Sequence, residues 1–244
     1  MHGFIIFKHS VVMVLRNFPQ VLKTILPLSA IGALWVLGVV GFFGSAAGKA
    51  MSSVQIELSA GAIVLMFFTL LVWGITAWHR YVLLEDRGLF FLPAFRIGPM
   101  MSYVAHFLLL CLLMIVSVIP FGIFLTIGSA AGPMMMVVMM FFIVIGVTFC
   151  FYRLVIILPA AAIGKPLKIK EAWGLTTGAE TAILVLVLLS SLVSLLLERS
   201  ADSIAAIPVL GLPLFLFVQG VWGMVQVSVI TTLYGHYVEG RPLS

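Results

Sequence analysis

The residues of this chain that could do acid–base chemistry are concentrated in one short stretch. His79 and Arg80 are followed by Glu85 and Asp86, and no other part of the sequence is as densely charged. An imidazole near carboxylates can take up and release a proton close to neutral pH. The same residues also suit an ion-pair cluster that fixes the orientation of a membrane segment, and we favour that interpretation. We therefore expect a protein that is not an enzyme, with no catalytic residue.

Metal and cofactor chemistry has less support in the sequence. The methionine-rich run 134–140 could offer thioether ligands to Cu(I), but no Cys or His lies next to it, and Met also fills gaps in apolar packing. The five histidines include no pair at metal-ligand spacing. Nucleotide-binding glycine motifs and a serine nucleophile elbow are absent as well. We predict no cofactor and no metal site.

Three polar side chains lie within predicted membrane spans. Gln219 and Gln226 are seven residues apart, so they share a face of one helix, and His106 lies about one turn inside another. Interhelical hydrogen bonds, worth about 0.6–2 kcal/mol each in membranes, are the simplest role for them. The alternative is a polar stripe that binds a substrate.

The elements that must position these residues are membrane-spanning helices. The chain is 63% hydrophobic and 9% charged, and its mean hydropathy is +1.28, whereas soluble domains carry about 25% charged residues. Apolar runs of about 20 residues recur, which is enough for a helix to cross the bilayer. Runs such as Ile183 to Leu197 read as apolar on every face, which favours helices over the alternating strands of a barrel. The sequence predicts an all-α polytopic membrane protein, with residues 1–244 as a single integral domain.

Six spans can be placed, joined by short segments at the membrane surface. The spans are predicted at about 21–43, 61–78, 101–127, 134–158, 181–197 and 213–234. Residues 3–17 place apolar side chains at helical spacing, which indicates a short cytoplasmic interfacial helix or, alternatively, the first turn of span one. Pro19 breaks or starts a helix, Pro120 predicts a kink in span three, and Pro166 suits a first helical turn. A polar link at 198–202 leads towards span six.

Basic residues fall almost entirely on one side of this six-span arrangement. Eleven of the thirteen lie on that side, and Lys49 and Arg199 lie on the other. Short basic loops stay in the cytoplasm, which predicts a multi-pass protein with both termini cytoplasmic. The first apolar run lacks a small-residue cleavage site, so we expect no cleaved signal peptide.

An internal repeat is suggested by the way the spans end. A pattern of interfacial segment, two spans and an aromatic residue near a basic or titratable one occurs three times. The pattern occupies residues 3–84, 89–157 and 165–237. Arg80 and Arg153 are 73 residues apart, and Arg153 and His236 are 83 apart. This spacing predicts three parallel two-helix repeats, although aromatic and basic residues at cytoplasmic helix ends also occur without any repeat.

Basic and aromatic residues line one cytoplasmic rim and could contact anionic lipid headgroups. The candidates are Arg80, Arg87, Arg96, Arg153, Lys165, Lys168 and Lys170, with Trp78 and Trp173. Arg153 precedes the end of its apolar run, so snorkelling of its side chain to the headgroups would explain it. A basic residue near anionic lipid contributes about 1 kcal/mol of binding. The same residues could also fix topology without any partner.

The span ends also carry a resemblance to known proteins. They contain WHRYVLLED (78–86) and RLVIILPAAAIGKPLKIKEAW (153–173), followed by LTTG (175–178). In these segments the chain resembles six-span inner-membrane proteins of proteobacteria that have no assigned reaction. It is similar in pattern to the membrane domain that precedes some glycerophosphodiester phosphodiesterases. The resemblance implies a bacterial inner-membrane protein, and it transfers no catalytic residue, because the phosphodiesterase domain with its metal-binding carboxylates is not in this sequence.

Two functions fit these observations. No span carries a charged residue near its middle, and such residues mark pumps and ion-coupled carriers. We therefore expect a non-enzymatic scaffold, accessory or lipid-organising protein. The alternative is a transporter or permease for a lipid-like or apolar solute that uses Gln219, Gln226 and the kink at Pro120. The expected partners are membrane lipids, including anionic phospholipid, and another membrane protein or a second copy, but not nucleic acid.

Overall fold

The computed structural model describes residues 2–45, 52–89, 91–129, 132–208 and 210–243. Within these ranges the chain folds into α-helices and forms no strand. Six helices are long and apolar enough to cross a membrane. They are Phe18–Gly44, Ser53–Leu84, Ile97–Pro120, Pro133–Ala162, Glu180–Ala201 and Gly211–Tyr237. The predicted all-α fold with six spans is confirmed, and the protein is a multi-pass integral membrane protein.

The described helices include short ones as well as the spans. In chain order they are α1 (His2–Arg16), α2 (Phe18–Gly44), α3 (Ser53–Leu84), α4 (Ile97–Ser129), α5 (Pro133–Leu154), α6 (Ile157–Ala162), α7 (Ile169–Leu175), α8 (Glu180–Ala205) and α9 (Gly211–Tyr237). Pro19 starts α2, as predicted. Pro166 does not start a helix, because the chain is irregular over 165–168 and α7 begins at Ile169. Pro120 lies inside α4.

The helices α3 and α8 extend furthest beyond their predicted spans. The helix α3 begins at Ser53, where the Ser52 hydroxyl accepts the Gln55 amide and the Gln55 side chain accepts the Ser52 amide. This capping box starts the helix well before the apolar run. The predicted end near residue 78 was also too early, because α3 continues until Glu85 adopts a left-handed conformation with φ of 57°. The predicted polar link at 198–202 was wrong, since these residues belong to α8.

Five of the long helices form a closed ring. Each contacts the next in the order α3, α4, α5, α8, α9 and back to α3, while α2 packs outside against α3 and α9. The short helix α6 lies inside this ring, against α3, α4 and α9. Residues 155–163 are all buried. The chain thus closes the ring at the end where α5 finishes. We call this end the basic end, and it is formed by residues 2–23, 78–97, 153–182 and 232–243.

The first helix runs across the basic end. A β-carbon at Gly3 would collide with the carbonyl of Ala182 in α8. Further along α1, the Ser10 hydroxyl donates to Thr232 of α9 at 3.0 Å, and just beyond the helix, Asn17 accepts from the Tyr81 hydroxyl of α3 at 2.8 Å. Therefore α1 crosses three spans, close to the terminus of each. A transverse helix at this level is the arrangement predicted for residues 3–17, rather than a first turn of α2.

The basic residues keep the distribution that the topology prediction used. The arginines and lysines predicted on the cytoplasmic side all belong to the basic end. Arg199 is exposed in the half of α8 remote from the basic end. The other residue predicted on that side, Lys49, lies outside the described residues.

Candidate functional site

Arg80 binds the end of another helix rather than facing lipid. Its guanidinium donates to the carbonyl of Ala162, the last residue of α6, at 3.2 Å. It also donates to Asp86 at 3.0 and 3.1 Å, and Arg96 lies 3.5 Å from the same carboxylate. Partial burial raises the pKa of Asp86, but the hydrogen bonds and charges of Arg80 and Arg96 outweigh burial and lower its pKa overall. The ion pair favoured for this stretch is therefore Arg80–Asp86.

Arg153 is buried, with 6% of its surface exposed. It donates to the carbonyl of Trp173 in the last turn of α7 at 2.9 Å and to the Thr176 hydroxyl at 3.2 Å. Its guanidinium stacks 4.0 Å from the centre of the Trp173 ring, and Glu180 lies 3.4 Å away. The predicted snorkelling to the headgroups was wrong, because the protein itself satisfies this side chain.

Arg241 repeats this arrangement. It donates to the carbonyls of Leu83 and Val82, in the last turn of α3, at 2.9 and 3.3 Å. The last carbonyls of a helix lack intrahelical partners, and the helix dipole attracts cations there. Arg80, Arg153 and Arg241 thus each donate to a carbonyl at the end of a helix to which they do not belong. We call these three residues the arginine caps.

The remaining headgroup candidates divide by exposure. Trp78 is fully buried, with its indole nitrogen donating to Ser228 of α9 at 2.9 Å, so it cannot reach a headgroup. The exposed candidates are Arg87, Arg96, Lys165, Lys168, Lys170 and Trp173. Only these last residues stay accessible for the predicted lipid contact.

His79 does not join the neighbouring carboxylates. Its ring is fully buried, Nδ1 lies 2.8 Å from the Thr231 hydroxyl of α9, and Tyr103 packs beside it. It therefore forms part of the interface between α3 and α9. Among the described residues, no group of three or more His, Cys, Asp or Glu could hold a metal ion.

The three predicted intramembrane polar residues do not form one site. Gln219 lines an apolar cavity of about 340 Å³ between α2, α3 and α9. Gln226 lines a different cavity, between α5, α8 and α9. The Nδ1 atom of His106 lies 2.8 Å from the Ser102 carbonyl of its own helix. A shared helix face therefore does not place Gln219 and Gln226 in a common cavity.

The cavity at Gln226 has polar walls within the membrane spans. Its volume is about 420 Å³, within the range of roughly 300–1,000 Å³ typical of small-molecule sites. The lining residues are Thr148, Tyr152, Val187, Ser190, Ser191, Ser194, Leu195, Glu198 and Gln226. We call it the polar cavity.

Two buried atoms of the polar cavity lack hydrogen bonds. Ser190 is 5% exposed and its hydroxyl faces Tyr152, but neither Ser190 Oγ nor Gln226 Oε1 makes a hydrogen bond of good geometry within the described structure. Next to them, the Trp222 indole donates to Ser194 at 3.1 Å. An unsatisfied polar atom in a membrane costs several kcal/mol. A molecule with hydrogen-bonding groups would satisfy both atoms.

Comparison with known proteins adds nothing to this geometry. No protein family, curated protein or solved structure matches the chain. The resemblance to proteobacterial six-span proteins thus stays a prediction, as does the threefold repeat. Function must be inferred from the cavity and the two ends of the bundle.

Sequence reasoning missed most of the polar cavity. Residues 183–197 were predicted to be apolar on every face, which was wrong, because Ser190 and Ser194 put hydroxyls into the cavity. A spacing of four residues, continued by Glu198, could have revealed this polar face of α8. Thr148 and Tyr152 of α5 have the same spacing. The signal was missed because Ser and Thr can bond to their own helix and so are common in apolar spans.

Proposed function

We propose that the protein binds and moves a lipid-like solute through the polar cavity. The observation that carries this proposal is the buried Gln226 Oε1, which has no hydrogen-bond partner among the described residues, in one cavity of about 420 Å³. The Ser190 hydroxyl lies in the same cavity with Tyr152 as its neighbour, without a hydrogen bond of good geometry. That volume greatly exceeds the roughly 30 Å³ that one water occupies. A polar group that is left unsatisfied needs an explanation, and a bound solute in a cavity of this size supplies one.

The chemistry of the walls suits an uncharged polar head. Hydroxyls and one amide supply both donors and acceptors, while Val187 and Leu195 supply apolar contacts. The carboxylate of Glu198 belongs to the part of α8 farthest from the basic end, and no cation lines the cavity. An anionic group would find no charge partner, so a lipid with a sugar, polyol or similar neutral head fits best.

The path of the solute is restricted on one side. Tyr152 of the cavity is followed by Arg153, which is bound to α7, and then by the buried segment 155–163. These elements fill the bundle towards the basic end. Access from the opposite end or sideways from the lipid is therefore the arrangement that we propose, with the basic end in the cytoplasm of a bacterial inner membrane by the positive-inside rule.

A matched pair of glutamine variants tests this function. The protein is reconstituted into phosphatidylcholine liposomes with a fluorescently labelled monoglucosyl diacylglycerol, whose sugar head crosses bilayers slowly, and its transfer between leaflets is measured. We expect Gln226→Leu to slow the transfer about tenfold, the value of one hydrogen bond to a buried partner. Gln219→Leu, in the other cavity, should leave the rate unchanged. Equal rates for wild type and Gln226→Leu would reject the proposal.

A second candidate is the scaffold or accessory role expected from the sequence. The observation in its favour is that none of the most apolar stretch of α5 is buried within the protein. Such a surface could contact another membrane protein or a second copy. Mass measurement after mild detergent extraction tests this role. A stoichiometric partner would support it, whereas an isolated monomer that transfers the labelled lipid would rule it out.

A further inference from the structure

The described parts of the connection between α3 and α4 pack against the end of α3. Residues 85–89 and 91–96 form no helix, yet the Trp73 indole donates to the Ala94 carbonyl at 3.2 Å. The Phe95 ring packs edge-on against Trp73, with ring centres 5.1 Å apart. Gly88 has φ of +67°, and a β-carbon there would collide with the amide of Ala94. These contacts give residues 85–89 and 91–96 a defined shape.

This connection encloses a groove of about 710 Å³. Its walls include Trp73, Asp86, Arg87, Phe95 and Arg96. We call it the loop groove. It is separate from the polar cavity, which lies between α5, α8 and α9.

The surface around the loop groove suits the membrane interface rather than water. Leu89 and Phe91 are 76% and 75% exposed, and Phe95 and Ile97 are also more than half exposed. Exposed apolar side chains next to a membrane span insert at the boundary between headgroups and acyl chains. The groove would then open at the level of the lipid phosphates.

The charges of the loop groove are divided between structural and accessible cations. Arg80 holds Asp86 at 3.0 Å, and Lys23 donates to the Arg87 carbonyl at 2.8 Å. The Arg87 side chain is exposed. The Arg96 side chain is 58% exposed, and its Nε lies 3.5 Å from the Asp86 carboxylate. The site has a net positive charge, because two carboxylates, Glu85 and Asp86, lie among four cations. These cations are Lys23, Arg80, Arg87 and Arg96. Arg87 and Arg96 have donors left for a phosphate.

We propose that the loop groove binds an anionic phospholipid, with Arg87 and Arg96 donating to its phosphate. Guanidinium groups pair with phosphate oxygens through two parallel hydrogen bonds. Trp73, Phe95 and Leu89 contact the upper part of the acyl chains. The seven basic residues predicted to face headgroups are thereby reduced to two at this site. Arg80 and Arg153 are excluded because helix carbonyls and the protein's own side chains use their donors.

Lipid retention distinguishes this site from general attraction to negative lipid. The full-length protein is placed in nanodiscs of phosphatidylcholine and phosphatidylglycerol, released into the gas phase, and the retained lipids are weighed. Each basic residue near anionic lipid contributes about a fivefold change in binding. We expect Arg87→Gln/Arg96→Gln to reduce retained phosphatidylglycerol more than tenfold. Lys165→Gln/Lys168→Gln/Lys170→Gln, which removes three exposed charges outside the groove, should change it much less.

Three results would overturn the proposal. One is a larger loss from the triple lysine variant than from the arginine variant. The second is unchanged retention in Arg87→Gln alone, a variant that should fold normally because its side chain is exposed. The third is displacement of the lipid by soluble glycerol phosphate, which would make the ligand a free phosphate compound. None of these outcomes depends on transfer through the polar cavity, so this site and the proposed function are tested separately.

Discussion

The two halves of the bundle are held in different ways. At the basic end, α6 is buried inside the ring. Hydrogen bonds such as Tyr81–Asn17 and Ser10–Thr232 join one element to another there. In the opposite half, side chains such as Leu34, Val64 and Met134 are more than two-thirds exposed. The helices there meet lipid on most of their surface.

This difference follows from the solvent. Lipid tails are as apolar as Leu, so burying an apolar side chain against another helix gains little in a membrane. Specific contacts must instead come from close packing and polar groups, and those contacts are concentrated at the basic end. Beside the polar cavity, the Trp222 indole still donates to Ser194 and joins α9 to α8.

The comparison is tested most strongly at Arg153. Replacing it with Leu removes the charged donor from the Trp173 carbonyl and the Thr176 hydroxyl inside a buried site. The carbonyl then keeps only the longer hydrogen bonds from the hydroxyls of Thr176 and Thr177, at 3.2 and 3.4 Å. We expect a loss of about 3 kcal/mol in the free energy of unfolding, not counting the exposed Glu180, measured by denaturant titration in detergent micelles. The control is Arg199→Leu, an exposed arginine of the opposite half, which should change stability by less than about 0.5 kcal/mol. Similar losses for the two variants would mean that the arginine caps stabilise the fold no more than an exposed arginine does.

A pair of alanine substitutions compares packing in the two halves. Ala160 of α6 is fully buried, and Leu at this position would overpack the centre of the ring. We expect a loss of about 2 kcal/mol, measured in the same titration. Ala60 is exposed in the opposite half of α3, so Ala60→Leu should be neutral. A clear loss at Ala60 would show that this half has protein contacts, as the scaffold function requires.

Acid should weaken the basic end through Asp86. The pKa of its carboxyl is lower in the folded protein than its ordinary value of 3.8, so the unfolded chain takes up this proton first as pH falls. The stabilisation is fully present above that ordinary value and is lost as pH drops through the lower, folded pKa. We expect this stabilisation to be about 1 kcal/mol in the free energy of unfolding, since the Arg80–Asp86 pair is partly exposed. Melting of wild type and Asp86→Asn should differ at neutral pH and converge in acid; a constant difference would contradict this assignment.

The sequence predicted the spans well because their signal is large. About 20 apolar residues must cross the bilayer wherever a span occurs, and so all six were found. The ends of α3 were not, because the Ser52–Gln55 capping box and the left-handed Glu85 stop the helix independently of hydropathy. Local caps decide where a helix ends, and composition alone does not contain them.

The role of the basic residues could be predicted only in part. Counting them placed one end of the bundle, but it could not tell a cap from a headgroup ligand. Arg153 and Lys165 look alike in sequence, yet one lies against α7 and the other is exposed. The distinction depends on which helix end lies nearby in space. The polar cavity also depends on positions in space, since Tyr152, Ser190 and Gln226 come from three helices.

The smallest expected effect on stability concerns Ser190. If its unpaired hydroxyl serves a bound solute, removing it costs the fold almost nothing, because no hydrogen bond of good geometry is lost. We expect Ser190→Ala to change the free energy of unfolding by less than about 0.5 kcal/mol, while slowing transfer of the labelled glycolipid severalfold. Residues that bind a ligand commonly limit stability rather than supply it. A marked destabilisation with unchanged transfer would instead make Ser190 a structural residue, and the polar cavity would then resemble the packed basic end.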